Sequence, residues 1–304
     1  MKTKILLAGG SGLIGTRLTQ YLDKDQYTFN ILSRSQRENG DNYKYFLWDT
    51  NKKTIDPTAL EGVSVVINLA GAGIADKRWT KSRKKVIIES RVNSAATIQN
   101  YIDLIPKGAT YIGASAVGLY GDQGEKKLIE SDTAGNGFLA DVTKEWEDAH
   151  NKLKSDFSRH ILLRIGIVLS EKGGALKEMI KPSQVGMYGY FGNGSAYYSW
   201  VHIDDICEMI KCSIESNDYN GIYNATAPEP ISIKALIQAL KAAQSGTGLL
   251  MPIPSLGLKL ALGQMAEMLT NSTRVIPQRL LEQNHNFLFT DAEEAIRDIL
   301  ARKI

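Results

Sequence analysis

Apolar and polar positions follow two different periods along this chain, and together they predict a parallel sheet covered by helices. In the first 169 residues, short and almost continuously apolar runs alternate with stretches that have apolar residues at helical spacing. Such runs are typical of strands buried on both faces of a parallel sheet. The predicted strands are residues 5–8, 28–32, 43–49, 63–69, 110–114 and 161–169.

The strand–helix alternation predicts the α/β class, a Rossmann-type doubly wound parallel sheet. After residue 169 the composition of the sequence changes. Five of the eight prolines lie between positions 228 and 277, and glycine and tyrosine are frequent in residues 186–199. We therefore predict a dinucleotide-binding domain in residues 1–168 and a smaller, substrate-side α+β lobe in residues 169–304. The helices predicted in this lobe include residues 231–242, 256–269 and 297–304.

A glycine turn at the first strand predicts a dinucleotide site. Gly9, Gly12 and Gly15 have the spacing G-x-x-G-x-x-G between a predicted strand and a predicted helix. Gly9 permits the tight turn, Gly12 lets the backbone approach a phosphate, and Gly15 lets the helix lie close to the sheet. The helix begins near Leu13 and Ile14, whose free N–H groups favour a pyrophosphate. A glycine-rich turn without a ligand is the alternative.

The end of the second predicted strand carries Ser33 and Arg34, where such folds face the adenosine ribose. No Asp or Glu occurs in residues 29–36, and Arg34 follows Gly15 by 19 positions. An acidic residue here would favour NAD, whereas a cation favours the 2′-phosphate of NADP. The sequence predicts NADP, with NAD less favoured; a solvated surface arginine is the alternative.

The strand that ends at Asn68 is followed by Leu69, Ala70 and Gly71, small enough to let a cofactor lie across the edge of the sheet. Next comes a run of six cations in residues 77–85. One interpretation is the solvated face of a helix. The other is an anion-binding lip that holds a substrate phosphate or carboxylate.

Two hydroxyl groups near the end of the strand at 110–114 are candidates for chemistry. Ser115 lies at the end of the strand, where a hydroxyl can donate to a substrate oxygen. Tyr120 follows it, and a phenol whose pKa is lowered can act as an acid or base. A tyrosine that only packs is the alternative.

Composition excludes several classes of protein. The formal net charge of 304 residues is +3, which argues against a nucleic-acid partner, and no apolar stretch is long enough to cross a membrane. Cys207 and Cys212 do not form a disulfide framework, and the four histidines are scattered. We expect no metal site and a cytoplasmic location.

The chain resembles the short-chain dehydrogenase/reductase superfamily in its extended, nucleotide-sugar-epimerase-like form. The motifs GGSGLIG, INLAG, RVNSAATIQNYI with Asn93, ASAVGLYG and YSWVHIDDI occur in the family's order. Segments such as AGAGIADKRW and RIGIVLSEKGGAL resemble an atypical, epimerase-like branch. The resemblance implies an NADP-binding epimerase-like oxidoreductase that acts on a nucleotide sugar or another small anionic or carbonyl compound. It also implies catalytic roles for Ser115 and Asn93.

The chain departs from this family at its acid–base pair, Tyr-x-x-x-Lys. When Glu147 is aligned with the family's helix acid, Leu139 stands where the tyrosine belongs and Thr143 where the lysine belongs. Lys144 is one residue away, which turns it by about 100° around a helix. The proton that accompanies a hydride therefore has no assigned donor.

Two hypotheses follow from this departure. The first is an oxidoreductase with a displaced acid–base group, first Tyr120 and then Lys77 or Lys85. The second is a catalytically silent protein, a regulator or scaffold, that binds NADP(H) without turnover. The resemblance also implies a homodimer through the helices that carry Asn93 and Trp146.

Overall fold

The molecule is built around one eight-stranded sheet with helices on both faces. The computed structural model describes residues 2–244 and 246–302. In chain order the strands are β1 (Thr3–Ala8), β2 (Tyr27–Ser33), β3 (Tyr43–Asp49), β4 (Thr54–Ile55), β5 (Val65–Asn68), β6 (Thr110–Ala116), β7 (Lys127–Leu128), β8 (Arg159–Ile165), β9 (Ile167–Leu169), β10 (Met187–Phe191), β11 (Tyr197–Tyr198), β12 (Trp200–His202), β13 (Gly221–Ala225), β14 (Ile231–Ser232), β15 (Leu249–Ile253) and β16 (Arg274–Val275).

The helices connect and cover these strands. They are α1 (Leu13–Tyr21), α2 (Lys81–Gln99), α3 (Phe138–Asn151), α4 (Gly174–Ser183), α5 (Ile203–Glu215), α6 (Ile233–Ala243), α7 (Ser255–Leu262), α8 (Glu267–Thr270), α9 (Gln278–Glu282) and α10 (Ala292–Ala301). Within residues 2–244 and 246–302, no helix is both long enough and apolar enough to cross a membrane.

The strand order of the sheet is β13-β8-β6-β5-β1-β2-β3-β4, and all neighbours are parallel except β3 and β4. The order reverses between β1 and β5, because β2 and β3 continue to one side and β6, β8 and β13 to the other. The predicted Rossmann-type doubly wound sheet is confirmed. Ligands of such sheets bind at the carboxyl ends of the strands on either side of the reversal.

Both faces of the sheet are apolar, which explains why β1 reads as a continuous apolar run. Ile5 and Leu7 belong to the core under α1 and α5, whereas Leu6 and Ala8 belong to the core on the other face. Side chains alternate between the two faces of a strand, so a strand covered on both sides needs apolar residues at every position.

A third core lies in the part of the chain that the sequence predicts as a smaller C-terminal lobe. It joins α4, α6 and α10 around the fully buried Trp200. The sheet nevertheless takes β13 from this half of the chain, since β13 pairs with β8. The boundary at residues 168 and 169 stays a prediction.

Two predicted elements are interrupted at glycines. The predicted strand at 161–169 breaks at Gly166, where a side chain would meet the carbonyl oxygen of Ser199, and β9 then pairs with β12 instead of extending the sheet. The predicted helix at 256–269 breaks at Gly263, whose φ of +60° cannot continue a helix. The final helix ends at Ala301, and Lys303 and Ile304 of its predicted range lie outside the described residues.

Candidate functional site

The glycine turn brings α1 and two strand ends into close contact. Gly9 has φ +86°, and a Cβ there would lie 2.7 Å from the carbonyl carbon of Leu69. The N–H of Gly12 donates to the carbonyl of Gly9 at 3.0 Å and closes the turn. A Cβ at Gly15 would lie 2.4 Å from the same carbonyl oxygen. Two of the three glycines are therefore required by close backbone contacts.

The amino end of α1 is open to a ligand. Gly12 is its N-cap residue and supplies no side-chain cap. In the described part of the chain, no protein acceptor takes the N–H groups of Leu13, Ile14 or Gly15. A cavity of about 590 Å³ lies beside this end, with Ser11, Gly12 and Leu13 in its wall. Free N–H groups at a helix amino terminus form a site for phosphate.

The end of β2 lies next to this turn in the sheet, because Leu32 pairs with Ala8. The Ser33 hydroxyl donates to the carbonyl of Ser35 at 2.7 Å and shapes the bend after the strand. Arg34 is exposed, and its guanidinium has no hydrogen-bond or ion-pair partner among the described residues. It is free to reach an anion at this edge.

Asn68 is the last residue of β5, and its side chain holds the backbone that follows this strand. Its side chain is fully buried, donates to Ser94 Oγ at 3.1 Å and to the Tyr111 hydroxyl at 3.2 Å, and accepts from the N–H of Ala70 at 3.2 Å. The amide is fully engaged by the protein. Its geometry is that of a residue that fixes the backbone of Leu69 and Ala70, not of one that touches a ligand itself.

Arg91 was missed as a candidate. Its Nη1 donates to the carbonyls of Ala72 at 3.0 Å and Ile87 at 2.9 Å, and its Cζ lies 4.9 Å from the centroid of the Trp146 ring. Burial, together with the nearby Arg83, lowers the pKa of Arg91 to about 10. No carboxylate within the described ranges pairs with it. Arg91 is half-buried, and a cation that is partly removed from water without an anion gains from an anionic ligand.

The spacing of residues along α2 contains a signal for Arg91. Ile87, Arg91 and Ile98 share one stripe of α2, at spacings of four and seven residues. An arginine on the apolar stripe of a helix loses part of its contact with water, and a partner for its charge is then favoured.

The cationic run at 77–85 divides between two environments. Lys77 and Arg78 are exposed, whereas Arg83 turns inward and donates to the carbonyl of Gly73 and to Asp76 Oδ2 at 3.3 Å. Trp79 is buried against Phe138 at 4.7 Å and donates from Nε1 to a loop carbonyl. Trp79 is therefore a core residue rather than a stacking surface.

Ser115 does not point to the edge of the sheet. Its hydroxyl donates to Glu147 Oε1 at 2.5 Å, and both residues are buried. Arg164 donates to both oxygens of the same carboxylate, at 2.9 and 3.0 Å. The predicted role of Ser115 in holding a substrate oxygen is disfavoured, because this carboxylate occupies its hydroxyl.

Tyr120 lies in the same buried network. Its hydroxyl donates to Asn224 Oδ1 at 2.7 Å and accepts from Arg164 Nη1 at 2.8 Å. Burial raises the pKa of Tyr120, and the nearby Arg164 only partly opposes this. A buried phenol with a raised pKa, whose oxygen already accepts from an arginine, is poorly suited to proton transfer, so the structure argues against the predicted acid–base role.

The corner where the family's tyrosine and lysine would stand carries no titratable group. Leu139 and Thr143 face Gly118, since a Cβ there would lie 3.4 Å from Leu139 Cβ and 3.7 Å from Thr143 Oγ1. Lys144 instead lines an exposed groove between α2 and α3. The Asn93 carboxamide on α2 has no protein partner among the described residues, so it stays available to a ligand.

No cluster of three or more His, Cys, Asp or Glu side chains in the described part of the chain could hold a metal ion. The polar groups at the edge of the sheet are backbone N–H groups and arginines instead. Such donors bind phosphates.

Sequence comparisons find one family over most of the sheet domain. Residues 5–143 match the model of the NAD dependent epimerase/dehydratase family, and residues 253–299 match a domain of unknown function (DUF1731). The epimerase family protein YfhF of Bacillus subtilis is 33% identical over 300 residues, 98% of each chain. The chloroplastic SDR39U1 homologue of Arabidopsis thaliana is 32% identical, and the match covers 97% of this chain and 86% of the length of the homologue.

Solved structures resemble the whole chain. The human epimerase family protein SDR39U1, crystallised with NADPH, superimposes with a TM-score of 0.88 at 26% identity, over 99% of this chain and 100% of its own. A nucleoside-diphosphate sugar epimerase of Corynebacterium glutamicum gives a TM-score of 0.77 at 28% identity, over 99% of this chain and 59% of its own.

Proposed function

Because the chain belongs to the NAD-dependent epimerase/dehydratase family, we propose that it binds NADP(H) at the carboxyl edge of β1, β2 and β5. The observation that carries the proposal is the open amino end of α1, where a glycine N-cap leaves three N–H groups without an acceptor among the described residues. The human relative crystallised with NADPH supports the same cofactor.

Each part of the cofactor has residues that fit it. The N–H groups of Leu13 and Ile14 would hold the pyrophosphate, with Gly12 leaving room for it. Arg34 would neutralise the 2′-phosphate, and Arg91 would face phosphate or ribose oxygens from beneath the loop that follows β5. When bound, NADPH supplies a hydride from its nicotinamide ring.

For the chemistry, we propose that this chain binds NADP(H) without a tyrosine–lysine pair to manage protons. The residues at that corner are Leu139 and Thr143, while Ser115 and Tyr120 are engaged inside the protein. Lys85 is exposed on α2 and pairs with Glu89 at 3.6 Å, which makes it a weaker candidate. Lys77 is exposed, and we take it as the first of the two lysines to test. This corner favours the second hypothesis, binding without turnover, over an oxidoreductase of conventional design.

A titration of NADPH fluorescence tests the binding proposal. We expect Arg34→Ala to weaken NADPH binding by about tenfold or more, since a hydrogen-bonded charge is lost, and to leave NADH binding within about twofold. Lys107→Ala is the matched control, because Lys107 is an exposed cation that precedes β6 at the opposite edge. Equal effects of the two variants on NADPH would contradict the role of Arg34.

Turnover is tested separately with the full chain, NADPH and a panel of small carbonyl compounds and nucleotide sugars. We expect saturable binding with no oxidation above the rate in buffer. Oxidation that Lys77→Met abolishes would instead support the first hypothesis and a small-molecule substrate.

We also propose a cytoplasmic location for the protein. Cys207 and Cys212 are both free thiols, which is consistent with a reducing cytoplasm.

For the assembly of the protein, we propose a homodimer through α2 and α3, where Lys84 on α2 and Asp141 on α3 line one exposed groove. Sedimentation should then give twice the chain mass of 33.5 kDa.

A further inference from the structure

The guanidinium of Arg274 stacks on a tyrosine ring and donates no hydrogen bond to any residue that the structure describes. Its Cζ lies 4.4 Å from the centroid of the Tyr197 ring. Its Nε is buried without an acceptor, and within residues 2–244 and 246–302 no carboxylate pairs with it. Stacking occupies the face of a guanidinium, whereas its five N–H donors lie in the plane. The donors of Arg274 are therefore unpaired while its position is fixed.

A second stacked arginine in the same chain shows what a purely structural arrangement looks like. Arg279 lies 4.1 Å from the centroid of the Tyr223 ring. It also donates to the carbonyls of Ile222 at 2.6 Å and Asn220 at 2.9 Å. Arg279 thus combines stacking with protein acceptors. Among the described residues, Arg274 has the stacked ring as its partner and no acceptor, so its donors are left for water or a ligand.

The backbone around Arg274 is firmly held. The N–H of Thr273 donates to the carbonyl of Tyr197 at 3.1 Å, and the N–H of Tyr197 donates to Ser272 Oγ at 3.0 Å. These two bonds tie the residues just before β16 to β11. The guanidinium and the ring beneath it are therefore positioned as one unit.

This unit lies beside the edge of the sheet. Val275, the next residue, packs in a small core with Tyr120 and Leu128, and Val117 borders that core. Val117 directly follows β6, the strand that lies next to β5 in the sheet. Neighbouring residues of a strand point in opposite directions, so Arg274 points away from this core and toward the lobe.

We propose that Arg274 binds the oxyanion of a small-molecule ligand, a phosphate or a carboxylate, with Tyr197 holding the guanidinium plane. The planar fork of an arginine matches two oxygens of either group. The proposal adds to the proposed function and rests on it, because the proposed function is what identifies the carboxyl edge of the sheet as the ligand site. It assigns the lobe side of the site to an anionic group that is separate from the phosphates of the cofactor.

The test measures phosphate binding by the full chain. The ¹⁵N-labelled protein is titrated with inorganic phosphate at constant ionic strength, first with NADPH at saturating concentration and then without it. The Nε–H signal of Arg274, identified by its absence in Arg274→Lys, should shift and saturate. Acetate in place of phosphate distinguishes a site for carboxylates from one selective for phosphates.

Variants separate the fork from general charge. Arg274→Gln should weaken the phosphate affinity at this site by about tenfold or more. Arg274→Lys keeps the charge and should weaken the affinity less. The lysine variant also tests the proposal if the glutamine variant does not fold. Tyr197→Phe is the matched control, because the ring is kept, and should change the affinity less than twofold.

Two results would overturn the proposal. One is an Nε–H signal of Arg274 that does not respond to either anion. The other is an Arg274→Gln variant that loses NADPH affinity in parallel with phosphate affinity, since Arg274 would then belong to the cofactor site. A wild-type chain that binds phosphate at Arg274 but does not bind NADPH would contradict the proposed function and leave this inference supported.

Discussion

At the scale of single residues, the site depends on which polar side chains the protein itself already uses. The hydroxyl of Tyr120 bridges Arg164 and Asn224, and Glu147 takes the hydroxyl of Ser115. Arg34, Arg91 and Arg274 in contrast lack an anionic partner among the described residues. Groups left without a partner are the ones that a ligand can engage.

Replacing Tyr120 distinguishes a structural role from a catalytic one. Tyr120→Phe should lower the free energy of unfolding by about 1–3 kcal/mol, because it leaves buried polar groups on Arg164 and Asn224 unpaired. NADPH affinity should stay within about twofold. Chemical denaturation and an NADPH titration measure the two effects.

The control is Tyr101→Phe, since the hydroxyl of Tyr101 has no protein partner among the described residues, and it should change stability by less than about 0.5 kcal/mol. A Tyr120→Phe variant with unchanged stability that loses an NADPH-dependent activity would restore the acid–base assignment.

Single residues differ in how well the sequence predicts them. The glycine turn and Arg34 are local features, since their roles follow from spacing within about 25 residues. The contacts of Ser115 and Tyr120 depend on Glu147, Arg164 and Asn224, which only the folded sheet brings together. Those roles could not be derived from spacing alone.

At the scale of elements, the position of α1 depends on Gly15, which has no side chain to keep the helix away from the glycine turn. The helix lies so close to the turn that a Cβ at Gly15 would overlap the backbone of Gly9 and Gly10, at 2.4 and 2.6 Å. Backbone atoms cannot move aside as a flexible side chain can. The position of α1, and with it the open amino end, depends on this contact.

A pair of glycine substitutions tests this dependence. Gly15→Ala should destabilise the protein by about 3 kcal/mol or more and weaken NADPH binding, because α1 must move away from the turn. Gly257→Ala in α7 should instead stabilise it by about 0.5–1 kcal/mol, since nothing lies within 4 Å of a Cβ there. Thermal unfolding of both variants gives the comparison.

The same contacts explain which elements were predictable. Strands β1 and β3 and helix α1 follow the period of their apolar residues. The breaks at Gly166 and Gly263 did not follow from periodicity, because a glycine inside an apolar run is compatible with both continuation and a turn. A tertiary contact with Ser199 decides the first case, and a left-handed backbone decides the second.

At the scale of the whole molecule, one carboxylate joins α1 to α5 and to Arg302, which follows α10. Asp204 at the start of α5 accepts from Arg17 of α1 at 2.6 and 2.9 Å, and it pairs with Arg302 at 2.7 Å. Arg302 also pairs with Asp298 of α10 at 2.6 Å. The junction lies along the wall of the cavity beside the glycine turn.

Loss of this carboxylate should affect the entire fold. Asp204→Asn should cost about 1–3 kcal/mol, between the values for exposed and buried ion pairs, because the carboxylate is buried but both arginines are about one-third exposed. Glu293→Gln, which removes the exposed pair with Arg297, should cost less than about 1 kcal/mol. Equal costs in urea denaturation would contradict the proposed junction.

Buried histidines predict how stability depends on pH. Burial lowers the pKa of His150 to about 3, and burial lowers that of His202, which faces Asp204, Asp298 and Arg302, to about 4. The unfolded chain takes up these protons near pH 6.5, so it binds more protons than the folded chain between about pH 6.5 and 4. Stability should therefore fall as the pH falls through this range. Asp205, whose pKa burial raises to about 6, opposes the trend in part.

The slope is the quantity to measure. Each buried neutral histidine contributes up to about 1.4 kcal/mol per pH unit. Free energies of unfolding at several pH values should give a shallower slope for His150→Gln than for the wild type, whatever the cost of the substitution at pH 7. A wild-type stability that rises between pH 6.5 and 4 would contradict this prediction.

The most direct test of the cofactor site compares two dissociation constants. Isothermal titration calorimetry of the full chain with NADPH and with NADH measures both on the same protein. The open helix end together with Arg34 predicts that both dinucleotides bind at one site and that NADPH binds at least about tenfold more tightly. Equal affinities, tighter binding of NADH, or no heat from either dinucleotide would contradict it.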